Sequence, residues 1–261
     1  MRRLVINLER SVDRLALMDE QFKAMGVSFE RVEAVNAKGN PDLPSGGKWK
    51  NLRRNEIGCF LSHYKCWKLI AEGDDDCGAV FEDDVIFSDL ARHALSDDFE
   101  WPHEWQVLKL ETYEVAVRMR RRIVAHFGKG CDVVELLSTH IGGAAYIISK
   151  QAAIDLVELF ERSAIVEQVD NFIFADHSEF FRTHKVLQTV PALAIQQNFL
   201  VEEDDVMQST IGYGFAMKRR APRMERIQRE LRSAVSKIID GCFPRYSRRI
   251  KVPFQGDLLI K

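Results

Sequence analysis

The chain has 261 residues, of which 46% are hydrophobic and 10% aromatic, enough for one large α/β domain or two small ones. Its net charge of −2 argues against a general nucleic-acid binder, and no apolar run approaches the ~20 residues of a membrane-spanning helix. The N-terminus becomes polar too early for a signal peptide, and the five cysteines are scattered without a CxxC pair. These features predict a cytoplasmic protein without a zinc site.

A strand–helix–strand unit is predicted at the N-terminus. Residues 4–8 form an apolar run typical of a strand, Ser11 is placed to cap the following helix, and Gly26 stops that helix. Residues 29–35 have the pattern of a second strand. This order of elements favours a parallel sheet.

Polar side chains follow the first strand at what would be the carboxyl edge of this sheet. Asn7, Arg10 and Arg14 lie at that end, and a nucleotide is one ligand that could use them. The alternative for Arg14 is an ordinary surface ion pair.

The next segment is predicted to be a loop and then a long helix. Residues 36–54 are rich in Asn, Gly, Pro and basic side chains, and Asn55 is expected to cap a helix that ends at Gly73. Gly58 lies early in this helix, where its missing side chain suits close approach of another backbone or of a ligand. His63 lies mid-helix, as either a core residue or a ligand-binding residue.

The most informative stretch is an apolar run, residues 79–87, that contains three consecutive acids. Glu82, Asp83 and Asp84 are too costly to bury unpaired, so they are expected where the strand leaves the core. Carboxylates at the carboxyl edge of a sheet suit a hard divalent cation that also binds substrate phosphates. The alternative is an acidic turn, which is the interpretation we favour for the Asp74–Asp76 run just before it.

Further strands are predicted at residues 105–110, 133–137 and 144–148, and a last strand pair, broken at Pro191, is predicted at 186–195. Arg118 to Arg122 form a basic patch on a hairpin or loop. Glu111 follows the first of these strands and could face the same cleft. Paired glycines, Gly142 and Gly143, allow a tight turn or close ligand approach. Asp170 could cap a short helix or serve the site.

The C-terminal segment differs in charge from the rest of the chain. From Lys218 onward thirteen Lys or Arg stand against four Asp or Glu, a net charge of +9. Met224, Ile227 and Leu231 begin an apolar stripe surrounded by arginines, which predicts an amphipathic helix. Such a helix binds a membrane surface or a partner, or packs on its own domain. The chain is therefore divided into a domain at 1–215 and a basic segment at 216–261.

Six segments in a fixed order resemble glycosyltransferase family 25, which comprises bacterial lipopolysaccharide and lipooligosaccharide glycosyltransferases and collagen galactosyltransferase relatives. The resemblance covers about residues 3–197. The segments are VINLERSVDR at 5–14, FERVEAV at 29–35, NEIGCFLSH at 55–63, FEDDV at 81–85, GAAYIISK at 143–150 and VD at 169–170.

The resemblance implies a GT-A fold, in which a Rossmann-like mixed sheet is flanked by helices, here with the basic helical C-terminal extension added. It also implies a UDP-sugar donor, Mn²⁺ or Mg²⁺, and transfer of a hexose, commonly galactose, with inversion. A lipooligosaccharide or lipopolysaccharide acceptor would hold the enzyme at the inner face of the bacterial inner membrane, where the basic segment would contact anionic lipid.

The resemblance also assigns roles to individual residues. The acidic motif corresponds to the DxD-type motif, with Asp84 expected as the direct metal ligand and Asp83 contacting a metal-bound water or the ribose. Asp170 becomes the first candidate for the base that deprotonates the acceptor, and Glu111 the second. The remaining donor-pocket candidates are Asn7, Arg10, Arg14, His63 and Glu82.

Two other functions compete with this interpretation. A nucleotidyltransferase on a similar sheet would normally carry a glycine-rich phosphate loop after the first strand, and residues 8–11 contain no glycine. A non-catalytic nucleotide-sugar or membrane-binding module would be expected to lack the acidic cluster, which is intact here.

Overall fold

The computed structural model describes residues 1–127, 130–200 and 246–260. They form a large mixed sheet flanked by helices, as predicted for the fold. The helices are α1 Val12–Met25, α2 Arg54–Ala71, α3 Ala91–Ala94, α4 Lys150–Arg162, α5 Val169–Phe174 and α6 Glu179–Thr183. The strands are β1 Arg2–Asn7, β2 Glu30–Glu33, β3 Cys77–Glu82, β4 Val85–Phe87, β5 Val107–Lys109, β6 Ala116–Phe127, β7 Cys131–Leu136, β8 Ala145–Ser149, β9 Val186–Val190, β10 Ala194–Gln196 and β11 Ser247–Lys251.

Nine strands form the main sheet, in the order β11-β6-β7-β9-β5-β8-β3-β1-β2, and β10 pairs with β4 in a second, two-stranded sheet. β1 lies between β2 and β3 and is parallel to both, which confirms the predicted N-terminal unit. Because parallel strands end at the same edge, Asn7 and Glu82 come together there. β8 then pairs antiparallel with β3 and β5, so the sheet is mixed.

Two helix starts differ from the predictions. Ser11 occupies the N-cap position of α1, but its side chain makes no capping hydrogen bond. Asn55 lies inside α2, which starts at Arg54, and Glu56 caps the helix by accepting from the Arg53 N–H through Oε2 at 2.7 Å. Gly26 ends α1 in the left-handed conformation, with φ of 79°, as expected for a helix-terminating glycine.

The core lies on both faces of the main sheet because side chains alternate along each strand. In β3, Val80 packs on the face covered by α2, α4 and α5, whereas Ala79 and Phe81 pack on the face covered by α1. A fully buried aromatic such as Phe81 contributes about 2–3 kcal/mol through its removal from water. This burial fixes the strand that carries the acidic motif.

Another part of the backbone lies close to Gly58, as the position of this glycine in the helix suggested. A Cβ atom there would lie 2.7 Å from the carbonyl oxygen of Val35. The Ser62 hydroxyl accepts from the Val35 N–H at 2.8 Å and donates to the Gly58 carbonyl at 2.7 Å. Helix α2 is thereby fixed against the chain that leaves β2.

The described end of the predicted C-terminal segment belongs to the main sheet. β11 pairs antiparallel with β6, which also pairs antiparallel with β7, so the basic patch expected on a hairpin or loop lies on a paired strand. The amphipathic helix expected from Met224 onward, and residue 215, where the domain boundary was placed, lie outside the described residues. Among the described residues no helix is long and apolar enough to cross a membrane.

Candidate active site

A cavity of about 640 Å³ opens at the carboxyl ends of β1 and β3. Its volume is within the usual range for sites that bind small molecules. Most of the predicted site residues line it, and the exceptions are Asn7 and Glu111. The predicted residues in its wall are Arg10, Arg14, His63, Glu82, Asp83, Asp84 and Asp170.

Both carboxylate oxygens of Asp83 accept hydrogen bonds from protein side chains. Oδ2 accepts from Asn7 Nδ2 at 2.7 Å, and Oδ1 accepts from Arg14 Nη1 at 3.1 Å. Asn7 is buried beneath the cavity, where its Oδ1 accepts from Arg31 Nε at 3.0 Å. Asn7 therefore supports the acidic motif from below.

The negative charge of Asp84 is compensated less than that of Asp83. Gln196 Nε2 donates to its oxygens at 3.2 and 3.4 Å, and the Arg14 guanidinium is 3.8 Å away. Burial and the neighbouring charge of Glu82 raise the pKa of Asp84 to about 7, despite Arg14. The motif therefore carries more negative charge than the single guanidinium of Arg14 neutralises.

Glu82 is oriented by donors from helix α2 and from β10. Oε1 lies 3.3 Å from His63 Nε2 and 3.6 Å from the Cys59 sulfur, and Oε2 lies 3.4 Å from Gln196 Nε2. Burial alone would raise the pKa of Glu82, but its interactions with His63 and Cys59 outweigh burial and lower it. Glu82 therefore stays ionised beside Asp84.

The acidic motif fits a hard divalent cation. Its carboxylates line the cavity and their oxygens keep lone pairs beside the hydrogen bonds they accept, and their excess negative charge is what such a cation would balance. Of the motif's residues Asp84 fits a direct ligand best, because its two oxygens share one donor, Gln196 Nε2, at 3.2 and 3.4 Å, whereas those of Asp83 accept from two separate donors at 2.7 and 3.1 Å. A second, softer ligand set comprises Cys59, His63 and Glu82, whose ligand atoms lie within 4.8 Å of one another.

Asp170 lies in the first turn of α5 and faces the cavity. Its Oδ1 accepts from the Asn171 N–H at 2.8 Å, and its Oδ2 accepts from the Gly142 N–H at 3.2 Å. Gln168 holds the N-cap position, so Asp170 is not the N-cap residue of α5, but its bond to the Asn171 N–H does satisfy one donor of the first turn. Each oxygen keeps a lone pair, which a general base needs.

Glu111 lies beneath the cavity wall and is fully buried. Its Oε1 accepts from Lys109 Nζ at 3.0 Å and from the Ala144 N–H at 2.6 Å, and Oε2 has no partner among the described residues. Burial raises the pKa of Glu111 even though Lys109 opposes the shift. This placement favours Asp170 over Glu111 as the group that reaches a substrate.

Sequence reasoning missed three residues that contact the acidic motif or its partners. Gln196 and Cys59 approach Glu82 from distant parts of the chain, and Tyr146 lies behind His63. The available signals were weak, because a polar residue after a strand and a cysteine on an apolar helix are both common without function.

The model of glycosyltransferase family 25 (LPS biosynthesis protein) matches residues 1–173. The chain belongs to this family. Family 25 members are glycosyltransferases, so this protein is an enzyme of that class. The matched region includes the whole acidic motif and Asp170, whereas Gln196 lies beyond it.

Three relatives illustrate the range of the family. A putative glycosyltransferase of Haemophilus influenzae is 27% identical over 87% of this chain and 82% of its own length. The lacto-N-neotetraose biosynthesis glycosyltransferase LgtB of Neisseria meningitidis is 29% identical over 74% of this chain and 73% of its own length. Procollagen galactosyltransferase 1-A of Xenopus laevis is 34% identical over 41% of this chain and 19% of its own length.

Proposed function

We propose that this family 25 enzyme transfers a hexose, with galactose as the first candidate, from a UDP-sugar to a lipooligosaccharide or lipopolysaccharide acceptor. The observation that carries the proposal is the acidic motif Glu82-Asp83-Asp84, which lies at the carboxyl edge of β3 in a cavity large enough for a nucleotide sugar. The name of the procollagen galactosyltransferase relative supports galactose as the transferred sugar, and that of LgtB, a lacto-N-neotetraose biosynthesis glycosyltransferase, supports an oligosaccharide acceptor.

Mn²⁺ or Mg²⁺ would be held by Asp84, with Glu82 beside it. When bound, the cation would stabilise the negative charge of the departing diphosphate as a Lewis acid. Asn7 and Arg14 fix Asp83 so that the motif presents its remaining oxygens to the cavity. Arg10, in the same wall, adds positive charge for the phosphates.

Asp170 would act as the base in a single displacement. It takes the proton of the acceptor hydroxyl while that oxygen bonds to the anomeric carbon, and the electron pair of the broken sugar–phosphate bond leaves with UDP. One displacement inverts the anomeric centre. Transfer of the proton to Asp170 requires that its carboxylate is not fully engaged, which fits its two single hydrogen bonds.

A steady-state assay tests the proposal. Purified enzyme is incubated with Mn²⁺, a deacylated lipooligosaccharide acceptor and a panel of UDP-sugars, and UDP release and the anomeric configuration of the product are measured. Asp84→Asn and Asp170→Asn are each expected to lower kcat at least 100-fold, in line with loss of a metal ligand or a general base. Asp74→Asn, in the exposed turn, is the control and should remain fully active. Full activity of Asp84→Asn would refute the metal assignment.

We also propose that the enzyme is cytoplasmic and contacts the anionic inner membrane surface peripherally. Supporting this, Arg118 lies directly opposite Arg249 in the β6–β11 pairing, and Arg122 and Arg249 are exposed, as is Lys251, which pairs with Glu114 at 2.8 Å. Like charges directly opposite each other destabilise a sheet, and an anionic surface would relieve that repulsion.

Vesicle flotation tests the membrane contact. The Arg122→Glu/Arg249→Glu variant should bind phosphatidylglycerol vesicles at least tenfold more weakly than wild type. The control, Lys23→Glu/Lys68→Glu, changes the net charge equally on helices α1 and α2 and should bind like wild type. Equal loss in both variants would show that only net charge matters, and undiminished binding of the β6–β11 variant would place the contact elsewhere.

A further inference from the structure

A buried chain of hydrogen bonds runs from the core to the acidic motif. Trp67 Nε1 lies 2.8 Å from the Tyr146 hydroxyl, and that hydroxyl lies 3.0 Å from His63 Nδ1. His63 Nε2 then lies 3.3 Å from Glu82 Oε1. Trp67, Tyr146 and His63 are fully buried, and they come from helix α2 and strand β8.

The chemistry of the Trp67 indole determines which atom donates and which accepts in each of these hydrogen bonds. An indole N–H can only donate, so the Tyr146 hydroxyl accepts from Trp67. Among the described residues the only other polar partner of that hydroxyl is His63 Nδ1, which therefore receives the tyrosine proton. The imidazole then carries its own proton on Nε2 and donates it to Glu82.

The donor and acceptor assignment also decides whether a metal would bind the acidic motif or the softer set of Cys59, His63 and Glu82. A histidine that binds a metal through Nε2 normally donates from Nδ1 to its second partner. His63 accepts at Nδ1, so its Nε2 lone pair is not available. Burial raises the pKa of the Cys59 thiol well above its usual value, and the thiol proton points to Glu82 as well. Both residues are therefore donors to Glu82 and not ligands for a soft metal.

We propose that Trp67 and Tyr146 are positioning residues for the donor site. They fix His63 as the neutral tautomer with the proton on Nε2, and His63 in turn holds the Glu82 carboxylate in one orientation beside Asp84. This inference rests on the proposed function in one respect, because the orientation matters only if the motif binds a cation and a nucleotide.

The competing explanation is that Tyr146 merely fills the core. Its ring is nearly parallel to His63, with centroids 5.9 Å apart, and packs edge-on against Phe174. Tyr146→Phe keeps this packing and removes only the hydroxyl. Tyr64→Phe is the matched control. It also removes a tyrosine hydroxyl, here one on helix α2, whose hydrogen-bond partner among the described residues is Glu161 at the surface.

The first measurement is the ¹⁵N NMR spectrum of histidine-labelled full-length protein, in which His63 is assigned by its absence in His63→Gln. Wild type and Tyr64→Phe should show a protonated Nε2 and an unprotonated Nδ1 at neutral pH. Tyr146→Phe should lose this pattern. Wild-type protein with the proton on Nδ1, or on both nitrogens, would overturn the inference even if Tyr146→Phe does not fold.

The second measurement is calorimetric titration of Mn²⁺ in the presence of UDP. Outer-sphere partners typically change metal affinity 10–100-fold, so Tyr146→Phe should bind Mn²⁺ about tenfold more weakly, with Tyr64→Phe unchanged. Affinity of Tyr146→Phe equal to wild type would refute the positioning role. If wild type binds neither Mn²⁺ nor UDP, the proposed function fails, whereas the NMR result still decides the direction of the hydrogen bonds.

Discussion

The main-chain N–H of Gly142 donates to Asp170 Oδ2 across 3.2 Å. The turn that contains Gly142 is held from below by a buried ion pair. Lys109 Nζ donates to the Gly142 carbonyl, and Glu111 Oε1 accepts from the Ala144 N–H at 2.6 Å. The ion pair, which no sequence pattern assigned to this role, therefore positions the proposed base through one glycine.

Glu111→Gln tests whether Glu111 supports Asp170 or is itself the base. The change leaves Lys109 charged and unpaired in the core, so the free energy of unfolding should fall by about 3 kcal/mol. Urea denaturation measures it. The control, Glu135→Gln, breaks the exposed pair with Arg120 and should cost less than about 1 kcal/mol.

The double variant Lys109→Met/Glu111→Gln separates the two roles. Removal of the unpaired charge should restore most of the stability. A positioning role predicts only a partial loss of kcat, because glutamine at position 111 still accepts from the Ala144 N–H whereas methionine at position 109 no longer donates to the Gly142 carbonyl. A stable double variant whose kcat falls as far as that of Asp170→Asn would instead identify Glu111 as the base.

Gly142→Ala should disable the site more than it unfolds the protein. Gly142 has φ of +95°, and a Cβ there would lie 2.5 Å from the Tyr113 ring and 2.9 Å from Glu111 Oε1. Gly130 has the same φ but nothing within 4 Å of an added Cβ, so Gly130→Ala is a matched control. Both variants should lose about 1–2 kcal/mol from the left-handed backbone.

Only Gly142→Ala should then lose transfer activity, by at least tenfold in kcat, because only there is the turn beside Asp170 displaced. Activity lost equally in both variants would show that general instability, and not the turn, is responsible.

The carboxylate of Asp84 should make the metal-free protein less stable as pH rises. The pKa of Asp84 is raised from 3.8 to about 7, so between these values the folded state binds more protons than the unfolded state. The free energy of unfolding should therefore fall as pH increases from about 4 to 7. Asp84→Asn removes this effect.

Unfolding curves in EDTA at a series of pH values measure this pH dependence of the free energy of unfolding. Asp84→Asn should gain stability relative to wild type as pH rises, reaching about 2–4 kcal/mol near pH 8, with the upper figure corresponding to the full pKa shift. Parallel stability curves for the two proteins would show that Asp84 is not held at a raised pKa.

The parts of the site that follow from strand order could be predicted from the sequence. β1 and β3 are parallel and adjacent, so Asn7 and Glu82 had to meet at one edge. The burial of Glu111 was missed, although a signal existed, because Lys109 precedes it by two residues and alternate residues of an extended chain share a face. The approach of Gln196 depends on how β10 pairs with β4, which no local pattern reveals.

The described end of the C-terminal segment also has a structure that its local sequence pattern did not predict. A basic composition favoured an exposed element, but residues 247–251 gain backbone hydrogen bonds by pairing with β6. Ser247, Arg249 and Lys251 share one face of β11, where Ser247 is buried and Arg249 and Lys251 are exposed, so these charges stay in water while the strand joins the sheet. Charge alone does not distinguish an exposed helix from the outer face of an edge strand.

The position of a bound cation is the most direct test of the assigned donor site. Crystals grown with Mn²⁺ and UDP should show an anomalous difference peak at coordination distance from an Asp84 carboxylate oxygen, with the diphosphate on its other side. A peak at the sulfur of Cys59 and Nε2 of His63, or UDP bound with no cation at the acidic motif, would contradict the assignment.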